Sequence, residues 1–143
     1  MMIAKILSGK GAAIMSIAPD ETLQTAAAHL TSRKVGALVV LDSHGNLVGI
    51  LSERDIVRTC AEQGFAAMAT KVSDAMTKNV LTASPQDGID SAMARMTDRR
   101  IRHLPILDAE KLVGVVSIGD LVKAKIDAAL ADADAMRAYI TTG

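Results

Sequence analysis

The chain has 143 residues, the size of one ordinary domain, and its 16 Lys and Arg residues balance 16 Asp and Glu residues. Half of the residues are hydrophobic, yet there is one Phe, one Tyr and no Trp, so aliphatic side chains and methionine must build the core. The balanced charge argues against nucleic-acid binding, and the single Cys60 excludes an intrachain disulfide. No apolar run reaches the ~20 residues that span a bilayer, and residues 1–9 lack a signal-peptide core, so we expect a cytoplasmic protein without a membrane partner.

The chain repeats one supersecondary unit twice, which predicts two copies of one fold. With an offset of 66 residues, and of 65 after a turn, the same residue type recurs at equivalent positions in the two halves. The recurring pairs are Pro19 and Pro85, Arg33 and Arg99, Asp42 and Asp108, Gly49 and Gly114, Ser52 and Ser117, and Asp55 and Asp120. A shorter similarity relates residues 3–7 to residues 72–76.

A helix is predicted near the start of the first repeat. Pro19 suits the first helical position, and the two acidic residues after it suit the first turn, where the helix dipole favours them. An apolar stripe at helical spacing follows. Its members are Leu23, Ala26, Ala27 and Leu30.

Two strands and a second helix complete the predicted first repeat. The apolar run at 35–41 is typical of a strand covered on both faces. Residues 42–46 have turn chemistry, and a returning strand is predicted at 47–51. A second helix is predicted from about residue 52 to residue 62, with Ile56 and Val57 facing inward.

The second repeat predicts the same order of elements. These are a helix over 85–97 capped by Ser84, strands over 103–107 and 112–116, and a helix that begins at Ser117. Apolar residues then recur every three or four positions in a long helical tail, which we expect to pack on the module or on a second copy. The stripe consists of Ile126, Leu130, Ala133, Met136 or Arg137, and Ile140.

The resulting fold class is α+β, with the order strand, helix, strand, strand, helix occurring twice and a helical tail after it. The predicted domains are a first repeat with its N-terminal segment at 1–70, a second repeat at 71–130 and the tail at 131–143. Residues 63–71 connect the repeats.

A Ser-x-x-Asp motif follows the last strand of each repeat. The motifs are Ser52 to Asp55 and Ser117 to Asp120. One interpretation is a capping box, in which the serine caps the helix and the acid bonds back to the chain. The other is a ligand site, in which the carboxylate accepts hydrogen bonds from both hydroxyls of a ribose. The motif alone leaves both open.

Arg102 and His103 are a basic pair at the start of a predicted strand, where the first repeat has the small Gly36 and Ala37. A solvated arginine beside a satisfied histidine is the ordinary interpretation. The alternative is anion binding, because the planar guanidinium matches two phosphate oxygens at once. The histidines His29, His44 and His103 have no ligand spacing, so no metal site is predicted.

Three segments carry a family resemblance. Residues 47–55, 100–108 and 112–120, in this order and spacing, resemble the CBS-domain family in its stand-alone two-repeat form, the Bateman module. The resemblance extends from Ile3 to about Leu130. It implies two repeats packed as a pseudo-twofold pair with two clefts, and usually a homodimer. In nucleotide-binding members the corresponding aspartates hold the ribose and a corresponding basic pair meets phosphate.

The resemblance implies two candidate ligand sites. The first comprises Asp120, Ser117, Arg102, Gly36, Ala37 and the backbone near Ile3. The second comprises Asp55, Ser52, Arg54, His103, Lys71 and Val72. We favour the first, because Gly119 permits close approach of a ligand.

The predicted function is that of a sensor that binds AMP, ADP, ATP or NADH, requires no cofactor and signals through dimer shape or an effector protein. A dimerisation module without a ligand is the alternative. An enzyme is disfavoured, because the sequence presents no activated nucleophile or general base.

Overall fold

The structure, a computed structural model, describes residues 1–10 and 14–142. The α-helices are α1 Ile3–Lys10, α2 Leu23–Arg33, α3 Glu53–Gln63, α4 Val72–Ala75, α5 Ile89–Arg99 and α6 Ile118–Thr142, and a 3₁₀ helix spans Gly64–Ala69. The strands are β1 Ser16–Ile17, β2 Ala37–Leu41, β3 Leu47–Ser52, β4 His103–Asp108 and β5 Lys111–Ser117. None of the described helices is both long enough and apolar enough to cross a membrane.

The chain forms two compact units. The first-repeat unit contains the described residues of 13–81 together with 109–112. The second-repeat unit contains those of 1–12, 82–108 and 113–143, so α1 lies with α5 and α6. The sequence predicts domain boundaries at residues 70 and 130, and these boundaries stay a prediction.

A three-stranded sheet forms the centre of the first-repeat unit. β1 runs parallel to β2, and β2 runs antiparallel to β3, with an irregularity in register after Val40. The first four residues of β2 are buried, as the continuous apolar run predicts. Side chains from α2, α4 and the sheet form the hydrophobic core of this unit. They include Leu23, Ala26, Leu30, Leu38, Val40, Leu51 and Val72.

The second-repeat unit follows the same plan with a smaller sheet. β4 pairs with β5, and Ala83 adds a single parallel bridge to Ile106 where the first repeat has β1. Helix α5 occupies the position of α2, and each has 11 residues and ends on a left-handed residue, Arg100 and Lys34 respectively. The predicted α+β fold with two repeats is therefore confirmed.

The two proline helix starts were predicted wrongly. α2 begins at Leu23 and is capped by Thr22, whose side chain accepts a hydrogen bond from the Thr25 N–H. α5 begins at Ile89 after Gly88, and the Ser84 hydroxyl instead accepts from the Gln86 N–H. The prolines lie in the turns before these helices.

A tertiary contact explains both errors. The Pro19 carbonyl accepts from the Ser73 N–H at 2.9 Å, and the Pro85 carbonyl accepts from the Ala4 N–H at 2.8 Å. The first N–H groups of a helix have no partner inside it, so these turns supply partners for α4 and α1. A turn that must present its carbonyls outward cannot also wind into a helix.

The similarity between residues 3–7 and 72–76 corresponds to equivalent packing. A Cβ added at Gly49 in β3 would lie 2.5 Å from the Met76 sulfur, and one added at Gly114 in β5 would lie 2.6 Å from the Leu7 Cδ2. Each glycine therefore admits a side chain from the short helical segment that packs on its strand.

One predicted burial assignment needs correction. Val57 is exposed, whereas Ile56 is partly buried against the core as expected. The buried face of α3 instead carries Asp55 and Thr59, which are one helical turn apart. The predicted long tail is confirmed as a continuation of α6, and its apolar side chains are exposed. Cys60 is partly buried.

Candidate functional site

The Ser52 to Asp55 motif forms a capping box at the start of α3. The Ser52 hydroxyl accepts from the Asp55 N–H, and Asp55 Oδ2 accepts from the Ser52 N–H at 2.9 Å. These bonds satisfy two N–H groups that the helix itself cannot pair. The structural interpretation of this motif is confirmed.

The remaining oxygen of Asp55 is also engaged by the protein. Arg58 donates to Asp55 Oδ1 at 2.8 Å, and the Thr77 hydroxyl donates to the same oxygen at 3.4 Å. Arg58 also donates to the Ala75 carbonyl. Asp55 is 3% exposed, so its carboxylate is both buried and supplied with donors on each oxygen.

The Ser117 to Asp120 motif forms the same reciprocal pair at the start of α6. Asp120 Oδ2 accepts from the Ser117 N–H at 2.8 Å, and the Asp120 N–H donates to the Ser117 hydroxyl at 3.0 Å. The Asp120 side chain is 28% exposed. Among the described residues no hydrogen bond reaches its Oδ1.

Lys10 is the residue of this site that the sequence interpretation missed. It is the last residue of α1, and its ammonium group lies 2.6 Å from Asp120 Oδ2 and 2.7 Å from the Val115 carbonyl in β5. Lys10 is 110 positions from Asp120 and belongs to no motif, so sequence spacing carried no signal for this contact.

Burial and hydrogen bonding act in opposite directions on Asp120. Burial raises the pKa of the Asp120 carboxyl, but hydrogen bonds from Lys10 and the Ser117 N–H outweigh this and hold the pKa below its ordinary value of 3.8. The carboxylate is therefore ionised at neutral pH and can accept hydrogen bonds from a diol.

Of the other predicted residues of the second-repeat unit, Arg102 lies at this helix start and Ile3 has a separate backbone partner. Arg102 is exposed and stands in a bend just before β4, which begins at His103 as predicted. The Arg102 carbonyl accepts from the Ile118 N–H at 2.8 Å, which places its backbone at the first residue of α6. The Ile3 N–H donates to the Asp87 carbonyl, so it is already satisfied.

The other predicted residues of the first-repeat unit have equivalent positions. The Gly36 carbonyl accepts from the Glu53 N–H at 3.0 Å, and Ala37 begins β2 opposite Ser52. The Val72 N–H donates to the Glu21 carbonyl. Lys71 is an exposed residue before α4, and Arg54 is an exposed residue of α3.

Within residues 1–10 and 14–142, no group of His, Cys, Asp and Glu side chains could hold a metal ion. What the second-repeat unit offers is an ionised, partly exposed carboxylate, a neighbouring ammonium group and the amino end of a long helix. Such a set can accept hydrogen bonds from hydroxyls and attract an anion.

This chain belongs to the CBS-domain family, whose domains match residues 12–62 and 72–127. The prediction of a tandem CBS module is thereby confirmed. A crystal structure of a CBS-domain protein from Agrobacterium tumefaciens is 40% identical, with a TM-score of 0.85 over 87% of this chain and 92% of that one.

Two further similarities bear on localisation and ligands. The mitochondrial CBS domain-containing protein CBSX3 of Arabidopsis thaliana is 38% identical over 87% of this chain, which corresponds to 62% of CBSX3, less than two thirds of its length. The CBS domain pair of protein MJ0100, solved in complex with 5′-methylthioadenosine and S-adenosyl-L-methionine, is 25% identical, with a TM-score of 0.76 over 87% of this chain and 98% of that one.

Proposed function

We propose that this chain is a regulatory module that binds an adenine nucleotide in the second-repeat unit. The ribose hydroxyls would bind Asp120, and the phosphate would lie toward Arg102. The observation that carries the proposal is the Asp120 carboxylate, which is ionised, partly exposed and has one oxygen without a described donor. The adenosine compounds bound by the MJ0100 domain pair support an adenosine ligand.

The candidate ligands are AMP, ADP, ATP and NADH. We propose further that the chain requires no cofactor, catalyses no reaction and acts in the cytoplasm, passing its signal to an effector protein or through its own assembly. The remaining residues of the predicted ligand sets, including Arg54, His103 and Lys71, stay predicted contacts.

Calorimetric titration with AMP, ATP and NADH tests the proposal. We expect Asp120→Ala to lower nucleotide affinity by roughly ten- to a hundredfold, because it removes a charge-assisted acceptor. Arg102→Ala should weaken nucleotides similarly and adenosine much less. Added salt should weaken nucleotide binding more in the parent than in the Arg102 variant, because the ionic contact is screened.

Matched controls are Asp127→Ala on the exposed part of α6 and Arg99→Ala at the end of α5, which should leave affinity unchanged. If the parent binds none of the nucleotides, the sensor proposal fails and a dimerisation module without a ligand remains. If Asp120→Ala loses stability but keeps its affinity, the carboxylate is a helix cap and no ligand contact.

We also propose that the chain forms a homodimer through α6. Near its start the helix buries Leu121 in its own unit, while its other face carries exposed apolar side chains. These are Ile126, Leu130, Met136 and Ile140, which are 54 to 72% exposed. The zero net charge of the chain gives no repulsion between copies.

Light scattering of the parent and of Leu130→Asp/Ile140→Asp tests the dimer. We expect the parent to have twice the mass of the chain and the variant to be monomeric, because two charges on the apolar face would be buried in the interface. Ala135→Asp/Ala138→Asp adds the same charge elsewhere on the helix and should leave the dimer intact. A monomeric parent at micromolar concentration would refute the proposal.

A further inference from the structure

The Lys10 ammonium group has spare hydrogen-bonding capacity beside Asp120. A lysine ammonium carries three N–H donors. One is directed at Asp120 Oδ2 and one at the Val115 carbonyl, at 2.6 and 2.7 Å. No third acceptor for Lys10 lies among the described residues, and its side chain is 38% exposed. Within the part of the chain that the structure describes, the group is therefore held in place by two protein acceptors, and one of its three donors has no acceptor.

The carboxylate that holds Lys10 need not release it when a ligand arrives. Lys10 and the Ser117 N–H both donate to Asp120 Oδ2, whereas Oδ1 has no described donor. A ribose hydroxyl can therefore bind Oδ1 while Lys10 keeps its contact with Oδ2. The ammonium group would then stand beside the bound sugar, within the reach of a group attached to it.

The charges around this position favour an anion. Lys10 neutralises Asp120, and the Arg102 backbone lies at the first residue of α6 with its exposed side chain adding a positive charge. The amino end of α6, a helix of 25 residues, adds a partial positive charge. A neutral or positively charged substituent on the ribose would gain nothing from this surrounding.

We propose that Lys10 is a specificity-determining ligand contact, which donates its third N–H to a phosphate and so selects phosphorylated adenosine ligands over uncharged or cationic ones. This inference rests on the proposed function, because it requires the ribose on Asp120. It would distinguish this site from that of the MJ0100 pair, whose solved ligands, 5′-methylthioadenosine and S-adenosyl-L-methionine, carry no phosphate.

Titrations of the full chain with AMP and with 5′-methylthioadenosine test the inference. The two ligands share adenine and ribose hydroxyls and differ in the phosphate. We expect the parent to prefer AMP, and Lys10→Met to lower AMP affinity by roughly ten- to a hundredfold while 5′-methylthioadenosine changes less than about twofold. Lys10→Arg, which keeps the charge and its donors, should restore part of the AMP affinity.

Lys5→Met is the matched control, because Lys5 is an exposed lysine earlier in α1 and its replacement makes the same change of charge. It should leave both affinities as in the parent. Thermal unfolding of each variant, compared with the parent, shows that it is folded at the titration temperature.

Each other outcome overturns a different claim. Equal losses of both ligands in Lys10→Met would mean that Lys10 only positions Asp120, and would refute the inference. AMP binding that is unchanged in Lys10→Met would refute it as well, while the proposed function stands. A parent that binds neither AMP nor 5′-methylthioadenosine would refute the inference, and a parent that binds none of AMP, ATP and NADH would refute the proposed function with it.

Discussion

Asp55 and Asp120 occupy equivalent positions in the two repeats, but their carboxylates have different surroundings. Asp55 is 3% exposed and accepts hydrogen bonds from protein donors on both oxygens. The Asp120 side chain is 28% exposed and has its described donors on one oxygen only. Asp55 thus contributes both of its oxygens to contacts within the fold, whereas no described group donates to Asp120 Oδ1.

Among the described residues, the side chains that donate to Asp55 have no equivalents that donate to Asp120 in the second repeat. The residue equivalent to Arg58 is Lys123, which is exposed on α6. The residue equivalent to Thr77 is Ser8, whose hydroxyl donates to the Lys5 carbonyl. Lys10 reaches Asp120 in their place, from the end of α1. The motif is thus the same in both repeats, while differences at neighbouring positions give the two carboxylates different donors.

The largest expected effect is on stability and separates the two aspartates directly. Asp55→Ala should lower the free energy of unfolding by about 2–3 kcal/mol, because the Ser52 N–H, Arg58 and Thr77 all lose the buried Asp55 carboxylate as their acceptor. Asp120→Ala should cost about 1 kcal/mol, the usual value of a lost helix cap. Urea unfolding of the two variants and the parent measures both differences.

Asp74→Ala, at an exposed position in α4, is the control and should change stability little. Equal losses of unfolding free energy in the Asp55 and Asp120 variants would show that the two carboxylates contribute alike to the fold. A larger loss for Asp120→Ala would show that Asp120 contributes more.

A smaller effect should appear in acid. The lowered pKa of Asp120 means that its ionised form stabilises the fold above the unfolded pKa, and that this contribution is lost as the pH falls through the folded pKa, below 3.8. Lys10→Met removes a contact that lowers the pKa, so the stability difference between parent and variant should be largest above about pH 5 and shrink toward pH 3.

Urea unfolding at several pH values between about 3 and 6 measures this difference, and Lys5→Met is again the control of equal charge. A difference that stays constant across the range would show that Lys10 stabilises the fold through packing of its aliphatic chain and has no electrostatic effect on Asp120.

Local signals predicted the strands and the repeat well but gave wrong starts for α2 and α5. The apolar run of β2, the returning strand β3 and the serine cap of α3 all follow from patterns within a few residues. The prolines indicated wrong helix starts, because Pro19 and Pro85 lie in turns whose carbonyls accept hydrogen bonds from α4 and α1. Val57 was placed inward, although the buried face of α3 carries a charged residue that no hydrophobic pattern could reveal.

The repeated fold can be predicted from the sequence alone, since the same periodicities and caps recur in both halves at offsets of 66 and 65 residues. It also identified both aspartates, because a Ser-x-x-Asp motif at a strand end is a local pattern. The different surroundings of the two carboxylates follow from tertiary contacts. The exposure of a carboxylate and the donors that reach it depend on chain segments far away in sequence, as the contact between Lys10 and Asp120 across 110 positions demonstrates.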